Sequence, residues 1–285
     1  MPRLFTSSIS RPDSPTEPCL WFIFKGYRLL VRQDGQHIHI PLLGSPEEIG
    51  LPVVQSLYLG TMTEDGRSIP CYCGEVVEET APPVGMSFEG LRPLYAQLNE
   101  DDFWLAGRAV QIVDWDRTHR FCGRCGAGMV NQTAERAKSC PVCGLTNYPR
   151  LAPAIIVRVQ RQSDAGPEIL LARARRFPTS MFSVLAGFVE PGETLEECVQ
   201  REILEEVGIA VTNITYFGSQ PWPFPHSLMI AFTAEHAAGE LQLDPTEIAE
   251  AGWFAADALP QTPPPPSIAN RLIAAWLREV NSESG

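Results

Sequence analysis

Four glutamates and four cysteines carry most of the chemistry this sequence can offer. Glu202, Glu205 and Glu206 fall inside one stretch, 187–209, that reads GFVEPGETLEECVQREILEEVGI, with Glu193 nine residues ahead of Glu202. On a helix, residues four apart project side by side, so Glu202 and Glu206 share a face and Glu205 lies one turn from Glu202. Like charges at that spacing destabilise a helix, and an acidic helix edge is commonly only a solvated surface. The density here favours a second purpose. Converging carboxylates suit hard divalent cations such as Mg2+ or Mn2+, which bind phosphate oxygens, neutralise developing charge and activate water.

The cysteines follow the pattern Cys122-x2-Cys125-x14-Cys140-x2-Cys143, each pair in a Cys-x-x-Cys-Gly knuckle. The glycines let the backbone turn so that two sulfurs face one point, and four thiolates complete a closed tetrahedral Zn2+ site. A closed shell has no open position, so this metal is expected to be structural. The competing assignment, two redox pairs or unrelated buried thiols, fits less well, because a redox pair is normally single and sits at a helix start. A zinc ribbon can grip nucleic acid or clip domains together. Its basic residues Arg120, Arg124, Arg136 and Lys138 do not decide between these. Cys71 and Cys73 alternate onto one strand face as packing residues, and Cys198 is expected to be a small apolar residue on a helix.

These groups need elements to position them. Leu195, Val199, Ile203 and Val207 repeat every four residues as the buried stripe of a helix over 195–207. Thr194 is its expected N-cap and Gly208 its stop, while Glu193 reaches back to the preceding loop. The first hundred residues read as β-rich, with strands near 20–24, 27–31, 37–40, 56–61 and 69–73 and turns at Asp34-Gly35 and Asp65-Gly66. Helical spacing over 90–115 predicts two helices. Strands are expected at 154–159, 168–172 and 230–234, then a stiff proline connector at 263–266. A last helix follows, with Ile268, Leu272, Ala275 and Trp276 on one side. No internal repeat is visible, and the first 15 residues read as a frayed tail. The expected fold class is α+β and multi-domain, divided into a β-rich part with linking helices (1–118), a zinc ribbon (119–148) and an α/β part (149–285).

The chain has 285 residues, 44% of them hydrophobic, which is enough for two cores of ordinary size. Its 22 basic and 34 acidic residues give a net charge of -12, which argues against a general grip on nucleic-acid backbone. No apolar run has the length needed to cross a bilayer. Tight cysteine pairs without a signal peptide point to a reducing compartment. The expectation is a soluble, cytoplasmic protein.

The stretch 187–209 matches the Nudix box at every fixed position: Gly187, Glu193, Arg201, Glu202, Ile203, Glu205, Glu206, Gly208 and Ile209. The resemblance implies an α/β/α sandwich with a mixed sheet, hydrolysis of a nucleoside diphosphate linked to another moiety, and divalent metal held by Glu202, Glu205 and Glu206. It also implies that Arg201 orients a carboxylate through a salt bridge.

Just beyond lies Ser219-Gln220-Pro221-Trp222-Pro223-Phe224-Pro225-His226-Ser227. Three prolines alternating with two aromatics make a rigid extended ledge for a flat ring, with Gln220 and Ser227 as hydrogen-bonding groups. Taken alone, a proline-rich loop with core aromatics explains it equally. In this place it resembles the SQPWPFPxS signature of the NADH pyrophosphatase subfamily, the NAD-capped RNA hydrolases, which also carries a four-cysteine module upstream.

That resemblance implies further roles, residue by residue. Ala186 (through its carbonyl), Glu202, Glu206 and Glu247 hold the catalytic metals, and Phe188 stacks on a substrate ring. Gln220, Pro221, Trp222, Pro223, Phe224, Pro225, His226 and Ser227 form the substrate loop. Glu135, Tyr148, Ala269 and, more loosely, Arg92 are further contacts. The implied activity is cleavage of the pyrophosphate of NADH or NAD+ to AMP and nicotinamide mononucleotide, and by the same chemistry removal of NAD caps from RNA 5′ ends, with a homodimer as the assembly. The alternatives are another Nudix substrate, such as ADP-ribose or a nucleotide sugar, or a non-catalytic zinc-ribbon protein that binds nucleic acid.

Overall fold

The computed structural model describes residues 3–11, 18–175 and 180–283. The chain divides into two compact units, Met1–Arg150 and Leu151–Gly285.

Among its described residues the first unit contains eight strands before its α-helices: β1 (Leu4–Ser7), β2 (Cys19–Lys25), β3 (Arg28–Asp34), β4 (His37–His39), β5 (Leu42–Leu43), β6 (Gln55–Glu64), β7 (Arg67–Glu75) and β8 (Met86–Gly90). They form one sheet in the order β1-β6-β7-β2-β3-β4, with β5 on β2 and β8 on β3. The short helix α1 (Leu91–Leu94) and the long α2 (Glu100–Thr118) follow. Trp21 and Ile23 face one core with Tyr58, Tyr72 and Leu51. Cys71 and Cys73 are fully buried and do not belong to that cluster, so they line the opposite face of β7 as expected for alternating packing residues. The ribbon strands β9 (Val130–Asn131), β10 (Lys138–Ser139) and β11 (Thr146–Asn147) complete the unit.

The second unit is a three-layer sandwich. Its strands are β12 (Ala152–Ser163), β13 (Gly166–Ala174), β14 (Leu185–Phe188), β15 (Ala210–Trp222), β16 (Ser227–Ala238) and β17 (Ile248–Ala255). The order is β15-β16-β12-β13-β17, with β14 on β12, and among these described strands only the β12–β16 pair is parallel. Helix α3 (Leu195–Val207) packs Val199, Ile203 and Val207 onto Ile155, Val157 and Val159 of one sheet face. Helix α4 (Ile268–Glu283) packs Ile268, Leu272 and Trp276 onto Ile156, Ile169 and Ala231 of the other. Each such side chain contributes ~1.5–3 kcal/mol on burial, and the period-four stripes place them where the sequence predicted.

Three features depart from the sequence-based expectations. Residues 4–7 are not a frayed tail but the edge strand β1, paired with β6 from Leu4↔Thr63 to Ser7↔Gly60. Gly60 permits the approach, because a side chain there would collide with the Thr6 carbonyl. Residues 219–227 are not one extended ledge. Pro221 and Trp222 end β15, Ser227 pairs with Trp222 to open β16, and 223–226 form the turn between them.

The third departure is a structural repeat. In the first sheet β2 pairs parallel with β7 and antiparallel with β3 and β5, β6 pairs with β7, and β8 pairs with β3. In the second, β12, β16, β13, β14, β15 and β17 repeat those six roles in the same chain order. Where the second unit has α3, the first has only the short turn Pro46–Ile49. The repeat is invisible in the sequence because the segment with the strongest motif has no counterpart.

Candidate active site

Helix α3 is capped at both ends by the residues its sequence offers. The Thr194 hydroxyl accepts from the Glu197 N–H at 3.2 Å, and the Glu197 carboxylate accepts the Thr194 N–H at 2.8 Å, which makes a reciprocal capping box. Gly208 ends the helix in the left-handed region at φ 75°. These caps offset the repulsion among Glu202, Glu205 and Glu206 on its outer turns.

Arg201 does more. Its Nε and Nη2 donate to Glu193 at 2.7 and 3.0 Å, and its Nη1 donates to Glu202 at 2.9 Å and Glu205 at 3.0 Å. Nη2 also reaches the Phe188 carbonyl at 3.0 Å, where the Cys198 thiol donates as well at 3.5 Å. One guanidinium thus holds the loop after β14, the helix entrance and two helix carboxylates together. Beside Arg201 the Glu193 carboxyl is drawn down to about 2. Burial pushes the Glu202 carboxyl above its ordinary range, and the charges of Glu205 and Glu247 add to that against the pull of Arg201.

Glu202 lies directly against the Gly187 backbone, where any Cβ would overlap its carboxylate. Ala186 is the neighbouring residue of β14, opposite Ile156. Glu206 is buried at 8% exposure, whereas Glu205 and Glu247 are exposed. The loop carrying Glu247 is fastened to the end of α3: the Asp244 N–H donates to the Glu206 carbonyl at 3.0 Å and the Gln242 N–H to Val207 at 2.9 Å. Asp244 Oδ1 accepts from the Thr246 N–H at 2.8 Å, shaping the turn before Glu247. The donors are all hard oxygens, the set that Mg2+ or Mn2+ prefers. Among the described residues, the carboxylates do not close into a group with every oxygen within 4.8 Å of the others; only the four cysteines do.

The segment 220–227, which the resemblance assigns to substrate binding, spreads over one hairpin. Trp222 and Phe224 stand edge to face at 5.1 Å, both half-buried, with Pro221 and Pro225 exposed and Pro223 buried. The His226 carbonyl accepts the Ala152 N–H at 2.9 Å, and Ser227 is buried at the hairpin base. Phe188 is exposed at 59%, so its ring presents to solvent. Gln220 is buried, with both ends of its amide bonded inside the unit, and the Ala269 side chain sits in the α4 core. In the first unit the Tyr148 hydroxyl donates to Glu135 at 2.9 Å, both residues being exposed, and Arg92 is exposed on α1.

Two residues take roles here that the sequence did not assign them. Cys198 is more than an apolar filler, since it helps fix the Phe188 carbonyl. Asp244 shapes the turn that brings in Glu247, a role its Asp-Pro-Thr context signals.

In the ribbon, the four Sγ atoms lie within 4.8 Å of one another, with Cys122–Cys143 and Cys125–Cys140 at 3.5 Å. The two knuckles repeat the same bonds: Gly126 N–H to the Cys122 carbonyl at 2.9 Å, and Gly144 N–H to that of Cys140 at 3.0 Å. Both glycines sit at φ 75°. Backbone N–H groups, that of Cys143 first, draw the Cys140 thiol down to about 6, whereas Cys125, which shares a hydrogen bond with it, is pushed up against the pull of the Ala127 N–H. This is a closed, structural zinc site. Arg124 is exposed, and the other three basic residues are bonded within the first unit. Lys138 is buried against Asp116 at 2.9 Å, Arg136 donates to the Ser8 and Tyr58 carbonyls at 3.1 and 3.0 Å, and Arg120 pairs with Glu75 at 2.6 Å. The ribbon is therefore clipped to the rest of the first unit by Arg120, Arg136 and Lys138.

Residues 149–277 match the family described as NUDIX domain, 18–115 the NADH pyrophosphatase-like rudimentary NUDIX domain, and 117–148 the NADH pyrophosphatase zinc ribbon domain. A Deinococcus radiodurans protein named NAD-capped RNA hydrolase NudC is 42% identical over 272 residues, which span 95% of this chain and 91% of that protein. The chain belongs to the Nudix family, in its NADH pyrophosphatase branch. Proteins of the same name from Stutzerimonas stutzeri and Pseudomonas aeruginosa are 50% and 49% identical, over 81% and 73% of this Nudix hydrolase and 80% and 73% of their own lengths. The repeat also has its explanation: the first unit of this Nudix hydrolase is itself a Nudix-like sheet that lacks the acidic helix.

Proposed function

We propose that this enzyme hydrolyses the central pyrophosphate of NADH and NAD+ to AMP and, respectively, reduced or oxidised nicotinamide mononucleotide, and removes NAD caps from RNA 5′ ends by the same chemistry. The observation that carries the proposal is the likeness, along nearly the whole chain, to proteins named NAD-capped RNA hydrolase. The acidic helix, with Glu202 set against Gly187, supports it.

Glu202, Glu206, Glu247 and the Ala186 carbonyl would hold Mg2+ or Mn2+, which when bound neutralises phosphate charge and lowers the pKa of water. Glu205 or Glu206 accepts the proton of the attacking water. Arg201 keeps Glu202 and Glu205 in place during that step. Phe188 and the Trp222–Phe224 pair offer ring faces for the two flat ends of the dinucleotide. Pro221, Pro223, Pro225, His226 and Ser227 are proposed to line the rest of the binding surface in the second unit, and Glu135, Tyr148 and Arg92 of the first unit are proposed as further substrate contacts on the resemblance alone.

The three-part division at 1–118, 119–148 and 149–285, a homodimeric assembly and a cytoplasmic location belong to the same proposal. No described helix is long and apolar enough to cross a membrane.

The test is incubation with Mg2+ or Mn2+ and a panel of NADH, NAD+, ADP-ribose and NAD-capped RNA. Release of AMP with reduced nicotinamide mononucleotide from NADH, of AMP with nicotinamide mononucleotide from NAD+, and of a 5′-monophosphate RNA from the last, is expected. Turnover of ADP-ribose alone, or of none of the four, would refute the proposal.

A further inference from the structure

Gln220 is a polar side chain only 5% exposed, two residues before Trp222 on β15. Its Nε2 donates to the Pro266 carbonyl at 2.9 Å, and its Oε1 accepts the Ile268 N–H at 2.8 Å. Both polar ends of one amide thus bond to the junction between the proline connector and α4. The acceptor half satisfies one of the N–H groups that every helix leaves unpaired in its first turn. The donor half fixes the carbonyl of the last proline before the helix.

The rest of the junction is tied to itself. The Ser267 hydroxyl donates to the Pro264 carbonyl at 2.9 Å and accepts the Asn270 N–H at 3.3 Å, and Asn270 Nδ2 donates to the Pro263 carbonyl at 3.0 Å. Those bonds shape the connector but do not locate it against the sheet. Gln220 does so, from the strand that ends in the aromatic hairpin. The amide keeps a second N–H and a second lone pair, but at 5% exposure these have little access to a ligand.

We infer that Gln220 is a positioning residue: it sets the connector and the start of α4, including Ala269, in register with the Trp222–Phe224 hairpin, and it affects substrate binding through them rather than by touching substrate. This inference rests on the dinucleotide reading above for the nature of the substrate, but not for the brace itself.

The decisive experiment compares the full-length enzyme with Gln220→Met, which keeps the length and removes both bonds, and Gln220→Glu, which keeps the acceptor for Ile268. Amide exchange at Ile268 and the separate KM and kcat for NADH are measured. Losing both partners leaves a buried N–H and carbonyl unsatisfied, so Ile268 exchange in Gln220→Met rises roughly tenfold or more. KM rises by a similar factor while kcat stays within about threefold. Gln220→Glu retains Ile268 protection, and it serves as the test variant if Gln220→Met does not fold. A raised KM with unchanged Ile268 exchange would mean that Gln220 meets the substrate directly and overturns the inference. Faster exchange with unchanged KM would leave it a structural bond only and also overturns it. Absence of NADH turnover in the unmodified enzyme would sink the dinucleotide reading instead, and unaltered Ile268 exchange in Gln220→Met would still refute the brace.

Discussion

The Glu202 carboxylate rests on the Gly187 backbone, in space that any side chain at 187 would occupy. The fixed glycine of the box is therefore a steric condition on the placement of a helix carboxylate, imposed from a different strand. Gly187→Ala is expected to keep the fold, because β14 tolerates alanine, and to push Glu202 aside. A displacement of that kind costs about a hundredfold in activity. Circular dichroism would verify the fold and NADH turnover the loss; unimpaired turnover would show that the placement of Glu202 is not critical.

Glu206 is the buried carboxylate of the helix, and its own carbonyl anchors the loop that carries Glu247. Glu206→Gln preserves shape and removes charge. Turnover should fall at least about a hundredfold, with the thermal midpoint unchanged or raised, since a buried like charge has been removed. Activity within a few-fold of the parent enzyme would reject Glu206 as a metal ligand.

Glu193 and Arg201 give a pH signature. The Glu193 carboxyl is lowered from 4.5 to about 2 by Arg201, so the ionised form is favoured in the folded state. Its stabilising contribution is fully present above the unfolded value near 4.5 and is lost as pH falls towards 2. The difference in thermal midpoint between the parent and Glu193→Gln should hold steady from pH 7 to 5 and close below that. A difference that does not depend on pH over this range would show that the pair does not stabilise through charge.

The ribbon predicts a different loss. Cys125→Ser, or chelation, removes a structural ligand, and the thermal midpoint of the ribbon and the sheet it is clipped to should fall by roughly 10 °C. Metal analysis should show bound zinc in the parent and its loss in the variant. Faster proteolysis within 119–148 is the local readout.

The parts legible beforehand were those with local causes. Helix α3 was readable to the residue, because a period-four apolar stripe, an N-cap threonine and a terminal glycine all act within one segment. The knuckles were readable for the same reason. Strands β15 and β17 were missed because their exposed residues and bulges hide the alternation that marks a half-buried strand. Glu247 was expected near the helix only by resemblance, since its placement depends on Asp244 bonding the Glu206 carbonyl, nearly forty residues earlier in the sequence. Gln220 read as a ligand group because its type allows hydrogen bonding, and nothing local shows that both of its bonds are made to residues more than forty positions away.

One and the same strand pairing closes around a four-residue turn in one half of the protein and a thirteen-residue helix in the other. The scaffold thus does not depend on the helix to find its topology. A chemically costly insert, crowded with repelling acids, can be lengthened, trimmed or rewritten in one copy while the framework that receives it stays the same.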